Sequence, residues 1–259
     1  MNSLEPDLDL ARRFLEARGP KGVEVLLCGV TGAHAYGFPS VDSDIDIKGL
    51  HLAPTRDVLG LKGPGGAFDR IELFDGTECD VTTHEATHAI QLLLSGNGNV
   101  LEHILSPLQL FDTEPTRQLR HLAVGSLSKS FHRHYKGYFR GMRREHRTRG
   151  TLKTALYSYR APLTGYWLLT KGELVTDVRP LADELGLVTV PELVVLKTEG
   201  EQSPIPGGLN AIVQKDWITL EEHLSRALDQ STLPQEPPNR KDWEAWLVEA
   251  RLSRLTYEK

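Results

Sequence analysis

Cysteine is nearly absent: Cys28 and Cys79 are the only two in 259 residues. Both fall in short apolar runs that read as strands, which favours buried free thiols over a disulfide or redox role. Long hydrophobic runs are absent too. No stretch approaches the roughly 20 apolar residues that a membrane-spanning helix needs. The opening Met1-Asn-Ser-Leu-Glu-Pro-Asp7 is acidic and lacks a basic segment followed by an apolar one, so no secretory signal is read and a cytoplasmic location is expected. There is no internal repeat and no low-complexity tract, which excludes solenoids and fibrous folds. Hydrophobic residues at 39% and charged residues at 25% exclude a mainly disordered chain. The length suits one large domain or two smaller ones with ample core.

Acidic residues are missing from one region in particular. The net charge is −5, yet Arg117 to Arg160 holds twelve Lys and Arg against a single acid, Glu145. That segment carries +11 and the remainder of the chain −16. Such asymmetry points to an anionic partner. Within it, Arg133, Lys136, Arg140, Arg143 or Arg144, and Arg147 recur at helical i+3/i+4 intervals and share a face. With no interleaved acid except Glu145 that face repels itself, and phosphates would neutralise it. A solvated surface is the plainer alternative. Tyr135, Tyr138 and Phe139 on the same helix can stack bases or pack in the core.

The segment Gly29-Val-Thr-Gly-Ala-His-Ala-Tyr-Gly37 follows an apolar run, Val23 to Cys28, and precedes Ser43-Asp-Ile-Asp46 on a second run, Ile45 to Leu52. In a strand, Asp44 and Asp46 point to one face. Two carboxylates that close repel unless a cation lies between them. Hard oxygen donors suit Mg²⁺, which takes one or two carboxylates and substrate phosphates. The glycine turn beside them offers backbone N–H groups to such phosphates. A solvated Asx turn is the alternative for Asp44 and Asp46, but loop carboxylates do not usually alternate with isoleucine, here Ile45 and Ile47. His34 and Tyr36 either face a substrate or pack locally.

The coarse reading places a helix over Leu4–Arg18 and strands over Val23–Cys28 and Ile45–Leu52. Arg70–Phe74 and Glu78–Thr82 flank Asp75-Gly76, a hairpin signal. Asp80 lies on the second arm. It can face Asp44 and Asp46 if that arm joins the same sheet, with Asp69 and Glu78 as nearby rivals. Glu85–Leu94 is an amphipathic helix ended by Ser95-Gly-Asn-Gly98, and Val100–Leu105 a short one. Beyond Pro115 the pattern is helical: about 116–149, 152–170, 180–185, 191–198, 209–231 and 241–256. The expected fold class is α/β (α+β), a small mixed-sheet domain over residues 1–110 followed by an all-helical domain over 111–259. His84-Glu-Ala-Thr-His88 fits the zinc-protease pattern, but His84 follows a strand directly and no third ligand stands at a telling distance, so that reading is set aside.

Gly32-Ala33 with Ser43-Asp44-x-Asp46 resembles the signature of the DNA polymerase β-like nucleotidyltransferase superfamily. The longer strings Gly-Ala-His-Ala-Tyr-Gly and Asp-Ser-Asp-Ile-Asp-Ile-Lys-Gly resemble its RNA-ligase-associated branch, and the likeness continues through Asp80-Val81, Gly96-Asn97 and Lys153 to Arg160. The resemblance implies transfer of a nucleoside monophosphate from an NTP to a hydroxyl, with two Mg²⁺ (or Mn²⁺) ions held by Asp44, Asp46 and Asp80. It implies a nucleotide site that includes Gly32, Ala33, Tyr36, Gly37, Ser43, Lys153, Tyr157 and Arg160. It favours an RNA end as acceptor, bound by Arg133, Lys136, Arg140, Arg143, Arg144 and Arg147. A protein or small-molecule hydroxyl is the alternative acceptor, and a binding protein without turnover the non-enzymatic one. The family usually has serine where this chain has Ala33, which removes one side-chain donor to the terminal phosphates. Neither the base preference nor the oligomeric state is legible.

Overall fold

The computed structural model describes residues 4–61, 63, 65–200 and 203–255. In chain order the elements are α1 (Leu8–Arg18), β1 (Glu24–Val30), α2 (Gly32–Ala35), β2 (Ile45–Leu52), α3 (Thr55–Leu59), β3 (Ala67–Phe74), β4 (Thr77–Glu85), α4 (Ala86–Leu94), α5 (Gly98–Leu105), β5 (Leu108–Gln109), α6 (Glu114–Val124), α7 (Phe131–Arg149), α8 (Leu152–Lys171), α9 (Val178–Glu184), α10 (Thr189–Lys197), α11 (Gly207–Gln230) and α12 (Arg240–Leu255). They form a mixed α/β fold with a helical C-terminal region. The chain divides into two compact units, each discontinuous in sequence. One, the sheet unit, contains Asp7–Thr31, Asp44–Ser126 and the segment from Pro237. The other, the helical unit, contains Gly32–Ser43 and Leu127–Glu236. No helix among the described residues is long and apolar enough to cross a membrane.

The sheet unit is built on five strands in the order β3-β4-β2-β1-β5. The β3–β4 hairpin turns on Asp75 and Gly76, both at positive φ (48° and 86°), the backbone that a tight two-residue hairpin needs. β4 then lies parallel to β2, while the remaining neighbours are antiparallel. Alternation along β2 buries Ile45 and Ile47, and along β4 Cys79 and Val81. These join Phe14 and Ala11 of α1 in one apolar core. Both thiols are buried and free, as expected. Burial pushes the Cys28 thiol up, and pushes Cys79 up to about 11 with help from the carboxylates of Asp75 and Asp44.

The helical stretch expected over 116–149 is interrupted. α6 stops at Val124 and α7 starts at Phe131. Tertiary contacts hold the stop: Asn239 Nδ2 donates to the Leu122 carbonyl at 2.7 Å, and Ser126 Oγ donates to Asn239 Oδ1 at 2.9 Å. The buried indole of Trp243 on α12 donates to Ser126 Oγ at 2.8 Å. An asparagine more than a hundred residues away thus adds to the local stop at Gly125, the C-cap of α6, whose N–H donates to the His121 carbonyl at 3.2 Å.

In the helical unit α8 is the central element. Thr151 caps it through a reciprocal box with Thr154. It is buried on most sides, packed by α7 and α11. Tyr159 donates to Asp216 Oδ2 at 2.6 Å, and Trp217 Nε1 donates to Ser158 Oγ at 2.8 Å, so α11 is tied to α8 by polar as well as apolar contacts.

Candidate active site

Because Ile45 and Ile47 turn into the core, Asp46 and Lys48 project from the opposite face of β2. The parallel register pairs Asp46 with Asp80 and Lys48 with Thr82. β4 buries its odd-numbered residues, Cys79 to Glu85, so Asp80, Thr82 and His84 share the face of Asp46. Asp44 is half-buried just before β2, near enough to Cys79 to raise its pKa. The backbone at Asp46 is fixed by Thr31, whose N–H donates to the Asp46 carbonyl at 2.8 Å. The rivals Asp69 and Glu78 are both exposed.

Lys48, which sequence reasoning left out, is the residue the fold adds. Its Nζ donates to Asp80 Oδ2 at 2.5 Å and to Thr82 Oγ1 at 3.0 Å, and lies 3.9 Å from Asp46 Oδ1. The Thr82 hydroxyl in turn donates to Asp69 Oδ1 at 2.7 Å. The signal was available, since Lys48 stands two residues past Asp46 on the same strand face. Asp80 Oδ1 is buried and makes no hydrogen bond. Among the described residues no three His, Cys, Asp or Glu side chains converge as a ready metal cage. The donor chemistry nonetheless suits a divalent cation: two carboxylates in register, one with a buried oxygen left without a partner, are hard oxygen ligands of the kind Mg²⁺ and Mn²⁺ take.

The glycine turn belongs to the helical unit. Gly32 opens α2 at φ +61°, and Gly37 closes it at φ +81°. A Cβ at Gly37 would meet Asp177 Oδ1 at 2.0 Å, so glycine there is demanded by close approach as well as by backbone angle. Val178 N–H donates to the Tyr36 carbonyl at 2.9 Å, and Thr176 Oγ1 to the Ala35 carbonyl at 2.9 Å, which ties the turn to α9. Ala33 is buried in the unit's apolar core, where its methyl packs with Phe38 and Tyr159 among others. Ser43 Oγ accepts from the Ser40 N–H at 2.9 Å, and Lys197 Nζ donates to Ser40 Oγ at 3.1 Å.

Arg160 is buried, with its guanidinium 4.0 Å from the centre of the Tyr36 ring and 5.2 Å from that of Tyr138. Tyr157 meets Tyr36 edge-on at 5.8 Å. Arg160 therefore packs on Tyr36 of the turn. Lys153 and Tyr157 line a cavity of about 190 Å³ with Tyr138 and Arg149.

The basic helix α7 is less bare than its sequence. Arg143 donates to Glu221 of α11 at 2.7 Å and lies over the rings of Phe139 and Trp217. Arg147 lies over Trp217 as well, and Arg140 is 4.0 Å from the same glutamate. Arg133, Arg140, Arg144 and Arg147 are exposed and Lys136 half-buried. Tyr135 and Phe139 are core residues, while Tyr138 is half-buried.

The H-E-x-x-H string resolves into a strand-to-helix junction. Glu85 is buried, accepts from the Thr87 N–H at 2.7 Å as the cap of α4, and is ion-paired to Arg251 at 2.7 Å. His84, the penultimate residue of β4, stacks on His103 with ring centres 6.1 Å apart. Desolvation, then the neighbouring His84 and Lys48, pulls His103 down to about 3, and desolvation also lowers His84, His51 and His132. These imidazoles stay neutral in the fold while the unfolded chain takes up protons below pH 6.5. Stability should therefore fall as pH drops below 6.5, with His103 contributing up to about 1.4 kcal/mol per pH unit down to about pH 3. Melting temperatures between pH 7.5 and 5 should show that fall, and His103→Gln should flatten it.

A carboxylate pair on facing parallel strands, next in sequence to a glycine turn, frames the family match. The family model of RlaP, the RNA repair pathway DNA polymerase beta family, matches residues 9–249. The chain belongs to that family. By family it is a polymerase β-like nucleotidyltransferase of an RNA repair pathway. No curated protein matches it. Among solved structures it is similar to a nucleotidyltransferase-like protein from Exiguobacterium sibiricum 255-15, at 14% identity over 98% of this chain and 81% of that one, with a TM-score of 0.30.

Proposed function

We propose that this member of the family transfers a nucleoside monophosphate from an NTP to the hydroxyl of an RNA end and releases pyrophosphate. What supports the reading most is the register of β2 on β4, which sets Asp46 against Asp80 while Asp80 Oδ1 stays buried without a hydrogen bond. Asp44, Asp46 and Asp80 would hold the divalent cations. Bound Mg²⁺ or Mn²⁺ supplies charge neutralisation at the attacking and leaving oxygens. The acceptor oxygen attacks the α-phosphorus, the bond to the bridging oxygen of the leaving pyrophosphate breaks, and Asp80 helps take the hydroxyl proton. In the helical unit, Lys153, Tyr157, Ser43 and the Gly32–Gly37 turn serve nucleotide binding, with the turn's backbone N–H groups and the Lys153 point charge toward phosphate. Ala33 contributes packing there, and Arg160 positions Tyr36. Arg133, Lys136, Arg140, Arg144 and Arg147 bind the RNA backbone, with Arg143 holding α7 to α11.

The test is incubation with each labelled NTP, Mg²⁺ or Mn²⁺, and RNAs with defined 5′ and 3′ ends. Label should enter RNA, and label entering only protein would reject the RNA acceptor. RNA affinity should fall steeply with salt, and Arg144→Ala should reduce the log–log salt slope by about 0.7 to 0.9.

A further inference from the structure

We infer that Lys48 is a built-in counterion that competes with the divalent cation for Asp80 and Asp46, and so sets how tightly this site holds metal; the inference rests on the metal reading above. Lys48 belongs to the cross-strand row Lys48–Thr82–Asp69, which runs over β2, β4 and β3 beside the row Asp46–Asp80–Ile71. Its ammonium contacts Thr82 in its own row and also reaches into the neighbouring one. The ammonium lies against Asp80 Oδ2 and within 3.9 Å of Asp46 Oδ1, on groups only 16–22% exposed. An ammonium and a divalent ion cannot share those oxygens without strong repulsion at such short range. Removing the lysine without a replacement would leave two facing carboxylates uncompensated. The arrangement therefore exchanges one cation for another.

The flexible four-carbon stem of lysine allows the exchange, and its row supplies a second berth. Asp69 is exposed and already engaged by the Thr82 hydroxyl that Lys48 also contacts. When metal enters, Lys48 shifts along its row toward Asp69. Asp69 is thus a positioning residue, acting on the site through Lys48.

Mn²⁺ binding to the full chain, followed by titration calorimetry and by loss of the free-ion electron paramagnetic resonance signal, tests this without any turnover. Lys48→Met should bind Mn²⁺ at least about tenfold more tightly than the unaltered protein, because a competing like charge has gone. Asp69→Asn should bind it severalfold more weakly, because the displaced ammonium loses its berth. Asp46→Asn should lose binding. Unchanged or weakened affinity in Lys48→Met overturns the inference and leaves the metal reading standing. If Lys48→Met does not fold, Asp69→Asn decides, and affinity equal to the unaltered protein overturns the inference. If the unaltered protein and Asp46→Asn bind Mn²⁺ equally poorly, the metal reading itself fails and the inference with it.

Discussion

Asp46→Asn should cut nucleotidyl transfer on the order of 10³-fold or more, about 4 kcal/mol of barrier, while leaving the fold intact. The change keeps one oxygen and the shape of the side chain but removes the charge through which the residue would hold a cation in the proposed reaction. It also removes repulsion. Asp46 is paired with Asp80 across the parallel ladder, and the Lys48 ammonium lies within ion-pair reach of both carboxylates. Without added metal, the variant should melt at the same temperature as the unaltered protein or slightly higher. Single-turnover transfer of label to RNA together with thermal denaturation separates the two effects. Loss of transfer with a preserved melting transition assigns Asp46 to the chemistry. Retention of more than a tenth of the transfer rate would remove it from the site.

The largest effect on stability should come from Arg251→Met. Arg251 donates to Glu85 Oε1 at 2.7 Å and to Thr87 Oγ1 at 2.8 Å, and the side chains of Arg251 and Glu85 are 11% and 2% exposed. Thr55 Oγ1 donates to the Arg251 carbonyl at 3.0 Å, fixing the helix that carries it. Taking away one partner of a buried pair leaves an uncompensated charge, at a cost of roughly 3–5 kcal/mol. The double change Arg251→Met with Glu85→Gln should recover a good part of that loss, because the stranded carboxylate is gone. Urea denaturation of the three variants measures both quantities. An Arg251→Met variant within about 1 kcal/mol of the unaltered protein would mean that water reaches Glu85.

Much of this was legible in local sequence because the deciding interactions are local. Ile45 and Ile47 alternate with Asp44 and Asp46, and the alternation alone sets the carboxylates on the face away from the core. Asp75-Gly76 permits the positive φ values of the hairpin turn and joins β3 to β4. What could not be read is what depends on distant partners. That Asp80 lies opposite Asp46 follows from a parallel register joining strands more than thirty residues apart, which periodicity permits but does not choose. The end of α6 at Gly125 is held by Asn239 and Trp243, and the partner of Arg143 is Glu221, seventy-eight residues on. Arg160 and Ala33 read as phosphate-side residues from the motif. Their burial depends on Tyr36, Tyr138 and Phe38, whose convergence spacing does not reveal. Lys48 was readable by the same two-residue step that found Asp46, yet a single cation beside two acids draws no attention until its ammonium is seen lying on one of them.

The distance between Glu85 and Arg251, 166 residues, has a consequence for biosynthesis. As the polypeptide leaves the ribosome, β4 and its glutamate emerge long before the arginine that neutralises it. Until then Glu85 must stay hydrated, so the junction of β4 and α4 cannot close. The helical unit's segments are all made by residue 236, whereas the sheet unit waits for the stretch from Pro237 onward. A nascent chain arrested before that stretch should carry an open, protease-sensitive sheet unit, although β2 and β4 have already been synthesised.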